Sequence, residues 1–349
     1  MRIVVVGASG NLGTALLRRL AREPHAEAVG ISRRRPGAHT RHGAGRPPGP
    51  NPYESVTWHA IDISAVDAPE RLTTVFEGAD AVVHLGWALQ PNHREDVMAA
   101  TNVRGTRAVL AAVAVAGVPH VLLASSVGAY SVGPKHRRVS EDWPTGGVQT
   151  SHYARHKAIN ERAMDAFEQA HPDVVVTRLR PGLVFQPDAG REIARLFAGP
   201  LVPVRALALL RHLPVLPLPT SLISQGVHAD DVADAFWRAI DRRAGGAFNI
   251  AAEPVLGPAE VAAALGVPRT VPIRREVVRA LVSLSWRLRL QATDPGWIDL
   301  STSIPVMSTA RAREVLGWRP TVSSTEALRS LVDAFAGGRG LPASPPLGG

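Results

Sequence analysis

The sequence predicts an α/β protein, a doubly wound parallel sheet with a smaller C-terminal α/β region packed over the sheet's carboxyl edge. Through the first half, short apolar runs of strand length alternate with segments whose apolar residues recur at helical spacing, and a glycine-rich turn joins the first run to the first helix. After Pro181 the alternation gives way to Pro-rich apolar segments and short helices. A chain of 349 residues, at about 150 per domain, makes two structural units at most and buries roughly three-quarters of its unfolded surface.

Strands are expected over residues 2–6, 26–32, 56–61, 81–85, 120–124 and 174–179, and helices over 11–22, 68–76, 94–116 and 152–170. Residues 33–51 interrupt this pattern with five arginines and many Gly and Pro, a composition that builds no core and is expected as a mobile surface loop.

Composition narrows the function. At 45% hydrophobic and 20% charged the chain is too apolar for disorder and too mixed for an integral membrane protein. With no cysteine there are no disulfides, no thiol nucleophile and no thiolate zinc site, which fits a reducing cytoplasm. Four apolar residues before Gly7 are too few for a signal-peptide core. The most apolar stretch, residues 201–223, is broken by Pro203, Pro214, Pro217, Pro219, Arg205 and Arg211, so no membrane span is expected. The net charge of +9 invites a nucleic-acid partner, but Lys135 and Lys157 are the only lysines, the arginines are dispersed outside residues 33–46, and no aromatic-rich basic strand accompanies them. No nucleic-acid partner is expected.

Gly7-Ala8-Ser9-Gly10-Asn11-Leu12-Gly13 follows the first strand and opens the first helix. Its glycines permit a tight turn and close backbone approach to a pyrophosphate, and a helix N-terminus attracts the anion, so a dinucleotide-binding Rossmann fold is expected. The second strand ends Ser32-Arg33-Arg34-Arg35 with no acidic residue to bond a ribose diol. Ser32 and Arg33 would hold a 2′-phosphate, so NADP(H) is preferred and NAD(H) is the alternative.

Tyr153 and Lys157 stand one helical turn apart on one face, the spacing of an acid–base pair in which the cation favours the phenolate. Upstream, Ser125-Ser126 ends a strand at the sheet's carboxyl edge, either as a turn or, at Ser126, as a hydroxyl that holds a substrate oxygen.

With these residues the chain resembles the extended short-chain dehydrogenases/reductases of the NAD-dependent epimerase/dehydratase group. The resemblance runs to about residue 335 through the glycine loop, Asp62-Ile63, His84-Leu85-Gly86, Asn102-Val103-Arg104-Gly105-Thr106, Ser125-Ser126, Tyr153 to Lys157, Arg180-Pro181-Gly182, Val227-His228-Ala229-Asp230-Asp231-Val232-Ala233, and Leu316-Gly317-Trp318-Arg319-Pro320. It implies Tyr153 as catalytic acid/base, Lys157 on the nicotinamide ribose, and Ser126 polarising the reacting oxygen. It also implies Asp62 and Ile63 beside the adenine, Leu85, Gly86 and Pro181 along the cofactor, and Asn102 behind the active site. Asp230 and Asp231 are expected to cap a helix that starts at Val232. Residues 1–180, with 224–250 returning, would bind the nucleotide, residues 181–223 and 251–336 the substrate, and 337–349 would form a disordered tail.

Departures from the group narrow the reaction. Val127-Gly128 stands where the dehydratases carry an acidic pair, so dehydration is not expected. Ser224-Gln225-Gly226 stands where sugar-nucleotide enzymes tend to place an arginine, with Arg205 or Arg211 as substitutes. The expectation is therefore hydride transfer on a ketone or alcohol of secondary metabolism, with Trp87, Ser126 and Val127 as substrate contacts. The alternatives are a sugar-nucleotide epimerase or a non-catalytic dinucleotide sensor. His152 and His156 have the spacing of helical metal ligands but no third ligand nearby, so no metal is expected. Residues 274–291 read as a basic amphipathic helix, an ordinary helix of the substrate region rather than a membrane-surface element. The apolar faces of 94–116 and 152–170 suggest a homodimer.

Overall fold

The computed structural model describes residues 1–36, 51–90, 92–187 and 212–337. In chain order the first half comprises β1 (Arg2–Val6), α1 (Asn11–Leu20), β2 (Glu27–Ser32), β3 (Thr57–Ala60), α2 (Ala68–Phe76), β4 (Ala81–His84), α3 (Glu95–Ala99), a π-helical turn (Ala100–Arg104), α4 (Gly105–Ala116) and β5 (His120–Ala124). A 3₁₀ turn (Val127–Ala129), β6 (Arg138–Val139), α5 (His152–Ala170), β7 (Val175–Pro181) and β8 (Leu183–Phe185) follow. The remainder comprises β9 (Leu216–Leu218), β10 (Gly226–His228), α6 (Ala229–Asp241), β11 (Gly246–Ile250), α7 (Pro258–Leu265), β12 (Thr270–Pro272), α8 (Arg275–Arg287), α9 (Gly296–Ser303), β13 (Val306–Met307), α10 (Ala310–Leu316) and α11 (Ser324–Gly337).

The protein is α/β. Seven strands form one parallel sheet in the order β11-β7-β5-β4-β1-β2-β3. Helices cover both faces, so the central strands β1, β4 and β5 are almost wholly apolar and buried rather than alternating. In β1, Ile3 and Val5 pack with Leu16 and Leu17 of α1 and Phe236 of α6, while Val4 and Val6 pack with Leu72 of α2 and Val109 of α4. Six of the seven strands coincide with the expected ones to within one or two residues at each end. The seventh, β11, lies beside β7.

Two expectations need correction. The helix expected over 94–116 is three pieces, because the π turn inserts a wider loop of backbone at Asn102. Asp230 and Asp231 are not the caps of α6: His228 caps it, its Nδ1 accepting from Asp230 N at 3.2 Å. The buried Asp231 carboxylate instead accepts from Thr321 N and Oγ1 at 2.9 and 2.7 Å and holds that turn against the sheet, while Asp230 pairs with Arg18.

Along α8 the half-buried face stacks Trp286 on His93 at 4.4 Å and pairs Arg279 with Asp299, whereas Leu281 and Leu284 are exposed. Among the described residues no helix is long and apolar enough to cross a membrane. Most of the arginine-rich loop, the tail beyond residue 337, and Arg205 and Arg211 lie outside the described residues.

Candidate active site

Gly7 and Gly13 of the glycine loop have no room for a side chain. Gly7 sits at φ +86°, and a Cβ there would stand 2.7 Å from Gly86 N, so the ends of β1 and β4 are packed backbone to backbone. A Cβ on Gly13 would collide with Gly7 O. Gly10 begins α1 without a side-chain cap and no acid stands in the first turn, leaving the N-terminal N–H groups free of a competing carboxylate. Ser9, Asn11 and Leu12 lie in this turn, and Leu85 N donates to Val6 O at 2.8 Å, which brings Leu85 and Gly86 beside it. Ile63 lies under Gly86, and Asp62 accepts from Ser64 N and Oγ at 2.9 and 2.6 Å. At the end of β2 the Ser32 hydroxyl donates to Arg34 O at 2.5 Å and Arg33 is exposed.

The second half of the site forms where β5 ends. Ser126 begins the 3₁₀ turn, its Oγ accepting from Gly128 N at 3.0 Å. Gly128 is required because a Cβ there would stand 2.8 Å from the Tyr153 ring. Ser151 caps α5, placing Tyr153 in its first turn, where its ring and Ser126 both face Gly128. Burial pushes the Tyr153 phenol up to about 12, and only the Ser126 hydroxyl opposes it. The Lys157 ammonium is turned to Ala124 O at 2.7 Å and to the face of Trp87, and burial brings it down to about 7. Val127 is buried in the 3₁₀ turn and Pro181 ends β7, so both lie at the same carboxyl edge.

Asn102 acts from behind. Its side chain donates to Ala88 O at 2.8 Å and accepts from Ala88 N at 2.7 Å, which clamps the segment after β4. His84, buried and brought down to about 3 by desolvation, is neutral. The single Thr106 hydroxyl proton goes to Asn102 O, so His84 Nε2, 2.9 Å away, must carry the hydrogen.

Several contributors were not legible in the sequence. Glu95 contacts His152 Nδ1 at 2.6 Å and accepts from Arg155 at 2.5 Å, which fixes both side chains at the mouth of the site. Glu161 is buried and receives both prongs of Arg180 at 2.8 Å together with the Ser125 hydroxyl. Trp297 packs on Tyr153 with ring centroids 5.0 Å apart, and Asp294 accepts from Asn92 at 2.7 Å. Trp87, Leu89, Met98, His152, Tyr153 and Trp297 line one cavity, to which Asn92, Asn102 and His156 also contribute.

A family model described as the NAD dependent epimerase/dehydratase family matches residues 3–251, which hold nearly all of the sheet and every residue of this site named above except Asp294 and Trp297. The chain belongs to that family. It is a family of enzymes, and the bare-backbone cradle between Gly7 and Gly86, under an uncapped helix N-terminus, fits the dinucleotide that the family name implies. The chain is 28% identical to a UDP-glucose 4-epimerase of Mycolicibacterium smegmatis, across 96% of this chain and 98% of that protein. It is also 28% identical to an uncharacterized protein of Mycobacterium tuberculosis across 98% of this chain, which spans only 31% of that relative's length. Among solved structures it resembles the NAD complex of UDP-glucose 4-epimerase from Thermus thermophilus, with TM-score 0.67, 22% identity and coverage of 97% and 99% of the two chains. The UDP-glucose-4-epimerase of Stenotrophomonas maltophila, with bound NAD and formylated UDP-arabinopyranose, gives TM-score 0.68 and 17% identity over 97% and 98%.

Proposed function

We propose that this family member transfers hydride between a nicotinamide dinucleotide and a carbinol carbon, with Tyr153 moving the hydroxyl proton and Ser126 holding the oxygen. The observation that carries the reading is that Tyr153 and Ser126 meet against Gly128 at the end of β5, with Lys157 one turn further along α5. The dinucleotide, bound along Gly7 to Gly13, Gly86 and Pro181, supplies the hydride acceptor or donor. The protein supplies geometry: α5 fixes the phenol, Ser126 aims the reacting oxygen at it, and Trp87 and Trp297 keep water from the Tyr153 ring. Because burial keeps Tyr153 protonated, the resting phenol is set to donate to a carbonyl oxygen, the direction of reduction.

Residues 1–180 and 224–250 serve the nucleotide, and 181–223 with 251–336 the substrate, which accords with β11 pairing on β7 and with Trp297 reaching Tyr153. NADP(H) is the favoured cofactor, on the run Arg33-Arg34-Arg35 and the missing acid at the end of β2. The aromatic and aliphatic side chains beside Tyr153 support a ketone or alcohol of secondary metabolism. A homodimer would use the groove on α4 and α5 lined by Leu110, Ile159, Ala163 and Phe167, and a cysteine-free chain fits a reducing cytoplasm.

The end-to-end match to the Mycolicibacterium enzyme favours a second reading, sugar-nucleotide epimerisation with the cofactor oxidised and restored in each turnover. Denaturing the purified protein and identifying released nucleotide separates the two. Stoichiometric retained NAD supports the epimerase, whereas an empty protein that binds NADPH more tightly than NADH supports the exchanging reductase.

A further inference from the structure

Two buried polar atoms of opposite kind lack any partner beside Tyr153. One is the indole N–H of Trp87, a donor; the other is Oδ1 of Asn92, an acceptor. The amide orientation of Asn92 is set by its neighbour. Asp294 is itself buried and takes Gly296 N on Oδ1 at 2.7 Å, so its Oδ2 needs the Asn92 N–H₂ at 2.7 Å, and the Asn92 carbonyl is left over. Asn92 is also fixed along its backbone, its N–H donating to Gln90 Oε1 at 2.7 Å. Both side chains line the cavity that holds Tyr153. The free volume of that cavity, about 10 Å³, matches one water-sized group.

Of the other polar groups in the cavity wall, Asn102 is spent on both backbone atoms of Ala88, His152 is held by Glu95, His156 faces Asn102 and Glu95, and the Tyr153 phenol is the group the proposed reaction uses. An orphaned donor and an orphaned acceptor on two residues that line one water-sized space can be satisfied together by a single neutral hydroxyl, which accepts from one and donates to the other. An anion satisfies only Trp87 and leaves the Asn92 carbonyl repelled; an ammonium satisfies only Asn92. An apolar group satisfies neither.

We propose that Trp87 Nε1 and Asn92 Oδ1 form a hydroxyl-recognition subsite, so the substrate carries a second hydroxyl besides the carbinol that reacts. The proposal rests on the hydride-transfer reading above for its placement next to the reacting carbon, and it narrows the substrate to hydroxylated ketones and vicinal diols. A water fills the subsite when no substrate is present, and the hydroxyl displaces it because it reproduces both bonds.

The test is calorimetric binding of trans-1,2-cyclohexanediol and of cyclohexanol to the full chain, with saturating NADP⁺ or NAD⁺. The diol is expected to bind about tenfold more tightly than the mono-alcohol, the size of one well-made hydrogen-bond pair. In W87F, which keeps an aromatic side chain but removes the N–H with the five-membered half of the indole, that ratio is expected to fall to near one. Equal affinity for the two alcohols in the wild-type protein, or binding of neither, overturns the subsite and leaves an ordered water only; a ratio unchanged in W87F overturns the role of Trp87. Absorbance of reduced nicotinamide in the same mixtures reads the hydride-transfer function separately. Diol preference without reduction would sink that function and keep the subsite.

Discussion

The Lys157 ammonium lies 3.6 Å from the centroid of the Trp87 ring, closer than to the Tyr153 ring at 5.7 Å. A cation on an aromatic face is stabilised by the ring quadrupole. Here that contact, Ala124 O and the Glu161 carboxylate one turn along α5 oppose burial, and burial wins. Trp87 thus engages the charge of the group expected to hold the nicotinamide ribose, which couples the substrate wall to the cofactor side of the site.

A pH dependence of stability follows. The Lys157 amine falls from its ordinary 10.5 to about 7 in the folded chain, so between these values the unfolded chain holds a proton that the folded one lacks. The penalty is complete below pH 7 and gone above 10.5, and stability rises with pH by at most about 1.4 kcal/mol per pH unit in between. Lys135, held by Ile223 O and Ser301 O and brought to about 8, adds the same sign above pH 8. Thermal melts of K157M should therefore rise less steeply with pH above about 7 than the wild type, keeping the part due to Lys135.

Tyr153→Phe should lower turnover by about 10²–10⁴-fold, the range of a lost general acid, while dinucleotide affinity changes less than about threefold. Steady-state rates and dinucleotide titration read the two separately, and near-normal turnover would end the proposed role.

Gly7→Ala should abolish dinucleotide binding. The new methyl meets Gly86 backbone at 2.7 Å in a left-handed conformation, so β1 and β4 must separate at the cradle itself. Gly78→Ala is the control: φ is +66° there too but no atom lies within 4 Å, so it should cost only the backbone strain of about 1–2 kcal/mol and leave binding intact. Urea melts and dinucleotide titration of both variants make the comparison.

Glu161→Gln should destabilise the fold by about 3–5 kcal/mol in urea melts at pH 8, because Arg180 would be left buried with its charge uncompensated. Replacing both, as E161L with R180M, should recover much of the loss. Failure to recover would mean that Tyr130 and Glu141 O, which also take Arg180 N–H groups, depend on the guanidinium.

Local pattern determined six of the seven sheet strands, the glycine turn and the candidate trio Ser126, Tyr153 and Lys157. Each is legible because the signal lies within one element or at its end: burial on both faces makes the central strands almost wholly apolar, and helical spacing alone puts Tyr153 and Lys157 on one face. Tertiary structure decided what surrounds that trio. Asn92 and Asp294 are 202 residues apart, and Tyr153 meets Trp297 from a different segment again. No period or motif marks such pairs, since a carboxylate or an indole takes its role from whatever polar or aromatic group the fold delivers to it. The same holds for Lys157: sequence placed its amine one turn from the phenol, and desolvation beside Trp87 set its charge.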